Sequence, residues 1–271
     1  MADSDASTSR VWFVTGTSSG MGRAVARAAL ARGDRVVATA RDTSALDELA
    51  GGSPGRVLPV ELDVRDEAAA MRAARRAVEA FGRIDVVFNN AGYALVGSVE
   101  GTTDAQARAM SDTGFFGVLN VLRAVLPVMR RQRSGHVLNM SSIFGHMSFP
   151  ATGLLSAVKQ AVCGCTQAMA AELAPLGIGF TLVEPGGLRT GFLPNWVEAE
   201  HAIDDYEQSV GPALELLRNL PPEAVQEVDE VAAAILDAVD AERPPFHLVL
   251  GEWADGIIRE ELHSRLGDLA R

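Results

Sequence analysis

Residues 11–33 read VWFVTGTSSGMGRAVARAALARG, and this stretch decides the fold. The run 11–16 is apolar and ends in glycine, and residues 21–33 have the apolar period of a helix that stops at a glycine. The glycines between them follow the pattern G-x-x-x-G-x-G. Glycines at this place allow a tight turn and let the backbone approach a phosphate at the positive end of the helix. The stretch therefore predicts a phosphate-binding turn formed by Gly16, Ser18, Ser19, Gly20, Met21 and Gly22. A glycine-rich turn without a ligand is the alternative.

Short apolar runs alternate with helical stretches along the rest of the chain. The predicted strands are 11–16, 35–41, 56–64, 84–92, 136–142, 178–186 and 246–251. The predicted helices are 21–33, 43–51, 65–82, 103–132, 156–177 and 227–242. Strands that alternate with helices through short connections form a parallel sheet with right-handed crossovers. The sequence therefore predicts the α/β class, with one domain over residues 1–271 and a three-layer, doubly wound, Rossmann-like parallel sheet.

Residues 191–226 interrupt this alternation. They contain four prolines, Pro194 among them, and the aromatic residues Phe192, Trp196 and Tyr206. An insertion after a late strand of a doubly wound sheet lies at the carboxyl edge, where ligands bind. We expect a substrate lid whose Phe192 and Trp196 face the pocket, because long irregular segments in compact domains are usually functional or disordered. An ordinary surface excursion or an oligomer contact is the alternative. Residues 1–9 are polar, and we expect a disordered tail there.

Composition and charge exclude several classes of partner. The chain has 271 residues, 48% of them apolar, and a net charge of −11. It can bury a sizeable core, and its surface does not suit nucleic acid or an anionic membrane. No apolar run approaches the roughly 18 residues of a membrane span. The cysteines, Cys163 and Cys165, suit neither a disulfide nor a metal site, and the five histidines have no metal-ligand spacing. We expect a cytoplasmic protein without a metal and with a small-molecule substrate.

The end of the second predicted strand indicates which dinucleotide is preferred. An acidic residue there would bind the free ribose 2′-hydroxyl of NAD. The position is Ala40, and Arg41 and Asp42 follow it. A guanidinium can pair with the 2′-phosphate of NADP. The sequence therefore favours NADP(H) over NAD(H), with Arg41 as a cofactor-binding residue; a solvated surface charge is the alternative for Arg41.

Four separated motifs occur in one order: TGTSSGMG (15–22), LDV (62–64), NNAG (89–92) and PG-x-x-x-T (185–190). Together they resemble the short-chain dehydrogenase/reductase family, whose members bind a nicotinamide dinucleotide and usually oxidise alcohols or reduce carbonyls. The resemblance covers residues 10–260. It implies that the adenine is flanked by Asp63 and Val64, that the cofactor path is lined by Asn90, Ala91 and Gly92, and that the nicotinamide end is held by Pro185, Gly186 and Thr190. It also implies a homodimer or a homotetramer.

The same resemblance identifies the catalytic segment. The family uses a serine to orient the substrate oxygen, a tyrosine to exchange a proton, a lysine to hold the ribose and lower the tyrosine pKa, and an asparagine to anchor a water. Ser142 matches the serine, and Lys159 matches the lysine and the ribose contact. The tyrosine position, four residues before the lysine, is Leu155, and the asparagine position is Gly114. Two of the four groups that move the proton are therefore replaced.

Three functions remain open on these residues. The first is an NADP(H)-dependent oxidoreductase with a hydrophobic substrate. That substrate is an iminium, a conjugated or a polyketide-like compound that needs no tyrosine, or else Tyr93 or His146 replaces the tyrosine as the proton donor in the pocket. The second is a non-redox cyclase, isomerase or lyase, in which Leu155 and Gly114 widen an apolar cavity and Lys159 acts as a base. The third is a pseudoenzyme that binds the cofactor without catalysis. Tyr93 and His146 could instead only shape the pocket.

Overall fold

A seven-stranded parallel sheet forms the centre of the molecule. The computed structural model describes residues 9–192 and 195–270, so the expected tail, apart from its last residue, and Pro194 lie outside the described residues. The sheet consists of β1 Val11–Thr15, β2 Arg35–Ala40, β3 Val57–Glu61, β4 Val86–Asn89, β5 Gly135–Met140, β6 Ile178–Pro185 and β7 His247–Leu250. The strand order is β7-β6-β5-β4-β1-β2-β3, and every neighbouring pair is parallel. The predicted α/β class and doubly wound sheet are confirmed.

Helices cover both faces of this sheet. They are α1 Gly20–Ala31, α2 Asp47–Gly51, α3 Glu67–Phe81, α4 Asp104–Ser111, α5 Gly117–Gln132, α6 Gly153–Leu173, α7 Glu207–Arg218, α8 Val228–Asp240 and α9 Glu252–Leu269. Side chains alternate between the faces along β1. Trp12 and Val14 pack with α1 and α8 on one face, while Val11 and Phe13 pack with α3 and α5 on the other. A strand buried on both faces is apolar throughout, which explains the sequence of this run.

The predicted helix 103–132 is interrupted by a π-turn. Thr103 and Gln106 form a capping box at the start of α4, which fixes where the helix begins. Residues Asp112–Phe116 then form one wide turn before α5 continues. By length and composition alone, the combined helix 104–132 is apolar enough to cross a membrane, which differs from our expectation from the sequence. Its buried side chains pack against α3 and the sheet, as those of core helices do.

The described residues of segment 191–226 include regular secondary structure. It contains α7, and residues 197–198 pair with residues 95–96 in a short parallel ladder. Residues 225–226 pair with residues 187–188 in the same way. These contacts hold the segment against the carboxyl edge of the sheet. Helix α9, which we did not predict, follows β7 and packs against the same edge.

Candidate active site

A cavity of about 800 Å³ opens at the carboxyl ends of β1, β4, β5 and β6. These strands meet where the order of the sheet reverses, because β1 pairs with β2 on one side and with β4 on the other. Doubly wound folds bind ligands at this point, since the two neighbouring crossovers diverge there and leave a crevice. The predicted cofactor residues and the predicted catalytic residues, with the exception of Gly22, border this one cavity.

The glycine turn has the geometry that a phosphate site needs. Gly16 and Gly20 have φ angles of +70° and +57°, in the left-handed region that favours glycine. The Ser19 side chain makes no capping hydrogen bond to α1. The first N–H groups of a helix have no partner within the helix, so these groups can bind an anion. Ser18, Ser19, Gly20 and Met21 border the cavity, as predicted.

Gly22 acts through packing. A Cβ atom at this position would overlap the Gly16 carbonyl and would lie 2.7 Å from Nδ2 of Asn90. Gly22 therefore lets α1 lie close against the turn, and it does not border the cavity. Our expectation that Gly22 contacts the cofactor is corrected to a role in supporting the turn.

Thr15 joins the glycine turn to the NNAG motif. Its Oγ1 accepts hydrogen bonds from the backbone N–H groups of Asn90, at 2.9 Å, and of Ala91, at 3.0 Å. The Asn90 side chain donates to the carbonyl oxygens of Thr15 and Gly16. Asn90, Ala91 and Gly92 also border the cavity. The motif therefore fixes the relative position of β1 and β4 at the floor of the site.

Arg41 and Asp63 lie at the end of the cavity expected to take the adenosine. Arg41 forms no hydrogen bond or ion pair within residues 9–192 and 195–270. The Asp42 carboxylate accepts the backbone N–H of Ser44 at 2.9 Å, so it caps the turn that follows. Asp63 is paired with Arg65, whose hydrogen bonds are the main cause that lowers the pKa of this carboxyl. Arg65 also borders the cavity, and the sequence analysis did not identify it.

Ser142, Leu155 and Lys159 border the middle of the cavity. Ser142 lies two residues after the end of β5 and donates to the carbonyl oxygen of Pro185 at 3.4 Å. Lys159 is surrounded by protein atoms yet faces the cavity, and burial lowers its pKa from 10.5 to about 8. Leu155, one helical turn earlier on α6, is 2% exposed. It contributes an apolar surface beside two polar groups.

The loop after β6 closes the cavity at the end expected to take the nicotinamide. Pro185, Gly186 and Thr190 border it, as the resemblance implies. A Cβ at Gly186 would lie 3.1 Å from the ring of Trp253, so this tryptophan of α9 packs on the glycine. Trp253 was missed because helix α9 was not predicted. A signal was present, since an aromatic residue directly after a strand end lies at the ligand-binding edge.

The substrate end is apolar. Tyr93 and Phe192 border it, as predicted, and so do Phe144, Phe149, Leu216, Leu217 and Leu220. Burial is the main cause that raises the pKa of the Tyr93 phenol above its ordinary value, so Tyr93 is protonated at neutral pH. Most of these apolar residues belong to segment 191–226 or to the loop after β5. The lid remains a prediction, and its side chains form part of the cavity wall.

Gly114, Trp196 and His146 were also expected in the substrate pocket, but none of them borders the cavity. Gly114 faces α6, and a Cβ there would lie 2.6 Å from Cγ1 of Val158. Trp196 donates to Glu198, and the Arg218 guanidinium lies over its ring. Gly114 therefore permits a close contact between two helices instead of widening the cavity, and Trp196 braces segment 191–226 internally.

His146 turns away from the cavity. Its Nε2 lies 2.8 Å from Oε1 of Glu184, and Nδ1 of His247 lies 3.0 Å from Oε2 of the same carboxylate. A buried carboxylate attracts every donor within reach, because its charge is costly to bury without a partner. His146 therefore does not contact the substrate region. Within the described ranges, this cluster is the one group of three side chains arranged to hold a metal ion.

Comparison with known proteins agrees with the fold. The family model for short chain dehydrogenases matches residues 10–201. Oxidoreductase BOA17 of Botryotinia fuckeliana is 38% identical over 243 residues, which cover 89% of this chain and 89% of that protein. The 3-ketodihydrosphingosine reductase of Bacteroides thetaiotaomicron is 34% identical over 244 residues, which cover 89% of this chain and 88% of that protein.

Solved structures show the same architecture. A short-chain dehydrogenase from Streptomyces avermitilis superposes with a TM-score of 0.90 at 38% identity, over 97% of this chain and 95% of that chain. A Burkholderia phymatum enzyme in complex with NAD has a TM-score of 0.82 at 26% identity, over 95% of each chain. A Burkholderia cenocepacia enzyme in complex with NADP has a TM-score of 0.74 at 30% identity, over 95% of this chain and 97% of that chain. The chain belongs to the short-chain dehydrogenase/reductase family.

Proposed function

We propose that this protein is an NADP(H)-dependent oxidoreductase that acts on a small hydrophobic substrate without a tyrosine at the usual proton-transfer position. One observation supports this most directly. Leu155 is buried in the wall of the cavity that Ser142 and Lys159 also border. The site keeps the groups that orient a substrate oxygen and hold a ribose, but Leu155 can neither donate nor accept a proton.

The coenzyme preference rests on Arg41. Ala40 offers no carboxylate to a ribose 2′-hydroxyl, and the Asp42 carboxylate is engaged with the backbone of Ser44. The Arg41 guanidinium, free of hydrogen bonds and ion pairs within the described residues, is suited to a 2′-phosphate. The related solved structures hold either NAD or NADP, so the family admits both. When bound, the reduced coenzyme supplies a hydride.

The substrate class follows from the missing proton donor and the apolar wall. A positioned general acid typically contributes about 10² to 10⁴ in rate. A substrate that needs no added proton, such as an iminium, or one that manages its own, such as a conjugated or polyketide-like carbonyl, avoids this loss. The cavity wall of aromatic and leucine side chains suits such molecules. One relative is named a 3-ketodihydrosphingosine reductase.

Tyr93 is the side chain best placed to replace the missing donor. It borders the cavity directly after the NNAG motif, and its phenol remains protonated at neutral pH because burial raises its pKa. A protonated phenol can donate to a substrate oxygen but is a poor base. Tyr93 therefore suits reduction better than oxidation.

Lys159 supports a second candidate function. Its pKa of about 8 leaves part of the population neutral near physiological pH. A neutral amine in an apolar cavity can act as a base in isomerisation, cyclisation or elimination. A pseudoenzyme that only binds the coenzyme is the third candidate, because the glycine turn and the NNAG motif are complete.

Coenzyme titrations test the first step. Of the three tryptophans, Trp253 borders the cavity and packs on Gly186. Trp12 is buried in the core and donates to Asp34, and Trp196 is held by Glu198 and Arg218 away from the cavity, so a fluorescence response to coenzyme should come mainly from Trp253. We expect NADPH to quench the fluorescence of the wild-type protein and to raise its Tm, and Trp253→Phe to lose the quenching while keeping the rise in Tm. No change in Tm with either NADPH or NADH would contradict all three candidates.

A substrate panel then separates the candidates. Iminium, enone and ketone compounds are incubated with and without NADPH, and both product and NADPH absorbance are followed. Consumption of NADPH together with product supports the oxidoreductase. Product without NADPH consumption supports the non-redox enzyme, and binding without any product supports the pseudoenzyme. Light scattering on the same samples tests the proposed homodimer or homotetramer.

A further inference from the structure

We propose that His146, Glu184 and His247 form a binding site for a divalent transition-metal ion, with zinc as the ion to test. The three residues come from separate elements: the turn after β5, the end of β6 and the start of β7. Their ligand atoms all lie within 4.8 Å of one another. Two imidazoles and one carboxylate, completed by water, form a set that proteins use to bind zinc.

The distances are close to those of a coordinated ion. Nε2 of His146 lies 2.8 Å from Oε1 of Glu184, and Nδ1 of His247 lies 3.0 Å from Oε2. With bonds of about 2.1 Å, tetrahedral ligand atoms are about 3.4 Å apart. The two histidine–carboxylate distances therefore need to increase by about half an ångström. The ring of His247 is 50% exposed, so it can turn to complete the site, and it leaves a path for the ion and a water.

Burial and charge favour a cation at this place. The Glu184 side chain is 0% exposed, and its hydrogen-bond partners in the described part of the chain are the two imidazoles. A buried carboxylate is costly unless a positive charge compensates it. The Arg265 guanidinium donates to the carbonyl oxygen of His146, but Glu261 pairs with it at 2.7 Å and offsets its charge. A divalent ion would compensate Glu184 directly.

The metal ion would stabilise the fold near the cavity and would take no part in the reaction. None of its three ligands borders the cavity, so the ion would not contact the substrate. It would instead tie the turn that follows Ser142 to the strand that precedes Gly186, and both to β7. Zinc binding should therefore raise thermal stability in the absence of coenzyme and substrate, which separates this proposal from the proposed reaction.

Metal analysis and thermal unfolding of the full chain test the site. The protein is stripped with EDTA, dialysed against zinc and analysed for bound metal, and its Tm is measured with rising zinc. We expect one zinc per chain and a Tm that increases with the logarithm of zinc concentration. His247→Ala should bind zinc at least about tenfold more weakly, whereas His263→Ala, an exposed histidine on α9, should behave as the wild type.

Cobalt gives an independent signature, and the variants separate the outcomes. Co²⁺ in the wild type should show the visible bands of a four-coordinate ion, and Glu184→Gln, which keeps the shape of the side chain, should lose them. Equal zinc binding by the wild type and His247→Ala would show that the ion binds elsewhere and would overturn the proposal. A Tm that does not change with zinc would overturn it as well, because the cluster would then be a hydrogen-bonded group only.

Discussion

The amino group of Lys159 donates a hydrogen bond to the main-chain carbonyl oxygen of Met140 over 2.8 Å. Lys159 lies on α6 and Met140 ends β5, so this bond ties α6 to the strand that leads into Ser142. This bond holds the lysine side chain in the cavity. Its buried position sets both its pKa and the pH dependence expected of the protein.

The first prediction concerns the pH dependence of stability. Burial lowers the pKa of Lys159 from 10.5 to about 8, so the folded protein loses this proton before the unfolded chain does. Between these two pH values the unfolded chain binds more protons, and the free energy of unfolding gains a contribution that rises with pH. This contribution is complete above pH 10.5 and is lost as the pH falls through 8. Urea unfolding of the wild type and Lys159→Met across this window measures it.

Lys159→Met also removes the bond to Met140, but this loss does not depend on pH in the same way. We therefore expect the difference between the two unfolding curves to change with pH across the window, beyond a constant offset. Two curves that stay parallel over the whole range would show that Lys159 titrates at its ordinary pKa.

The second prediction restores a proton donor. Leu155→Tyr places a phenol four residues before Lys159 in the same cavity. We expect ketone reduction with NADPH to rise by about 10² to 10⁴, the usual contribution of a positioned general acid. Steady-state kinetics with a hydrophobic ketone measure it. Leu155→Phe adds the ring without the hydroxyl, and equal activity of both variants would show that shape rather than proton transfer limits the reaction.

The third prediction concerns the coenzyme. Arg41→Ala removes the cation proposed to bind the 2′-phosphate of NADPH. A hydrogen bond to a charged group contributes about 1.5 to 3 kcal/mol, so NADPH binding should weaken by about tenfold to a hundredfold, while NADH binding stays nearly the same. Titration calorimetry with both coenzymes measures this. Arg75→Ala, an exposed arginine on α3, is the control, and an equal loss of NADPH affinity in it would indicate a general charge effect.

The fourth prediction tests the packing of Gly114. Gly114→Ala gains about 1 kcal/mol in helix propensity but forces a Cβ to 2.6 Å from Val158, a clash that costs about 1 to 3 kcal/mol. We expect the single variant to be neutral or destabilised in urea unfolding. In the background of Val158→Ala, which removes the clashing atom, the same substitution should be stabilising. Equal effects in both backgrounds would show that Gly114 does not contact Val158.

The fifth prediction concerns Thr15. Thr15→Val removes the oxygen that accepts from the N–H groups of Asn90 and Ala91. A buried donor left without a partner costs about 1 to 3 kcal/mol, so the variant should be less stable and should bind NADPH more weakly. Thr15→Ser keeps the hydroxyl and should retain both properties. Unfolding and titration of the two variants decide this, and a loss in Thr15→Ser as large as that in Thr15→Val would show that the hydroxyl is not the group that matters.

Local features of the sequence were sufficient for the sheet and the cofactor end of the site. The apolar run of β1 and the glycines after it predict a strand, a turn and a helix because their conformations depend on neighbouring residues. The turn, the NNAG motif and Arg41 lie at the ends of strands, so the parallel sheet necessarily brings them to one edge. Helix α9 was missed because no distinct start or stop signal marks it, and the position of Trp253 just after β7 was the one available signal for that residue.

By itself, the sequence determined the α/β fold and placed the predicted cofactor residues at the ends of strands, since both follow from residue type and spacing along the chain. That Leu155 occupies the tyrosine position stays a prediction. Only the tertiary structure decided whether the other side chains predicted at the site point into the cavity or away from it. His146 is 38 residues from Glu184 and His247 is 63 residues from it, yet one buried carboxylate orients both rings away from the cavity. Gly114 meets Val158 for a similar reason, because the direction of a side chain is set by the elements that pack against it, and these are remote in sequence.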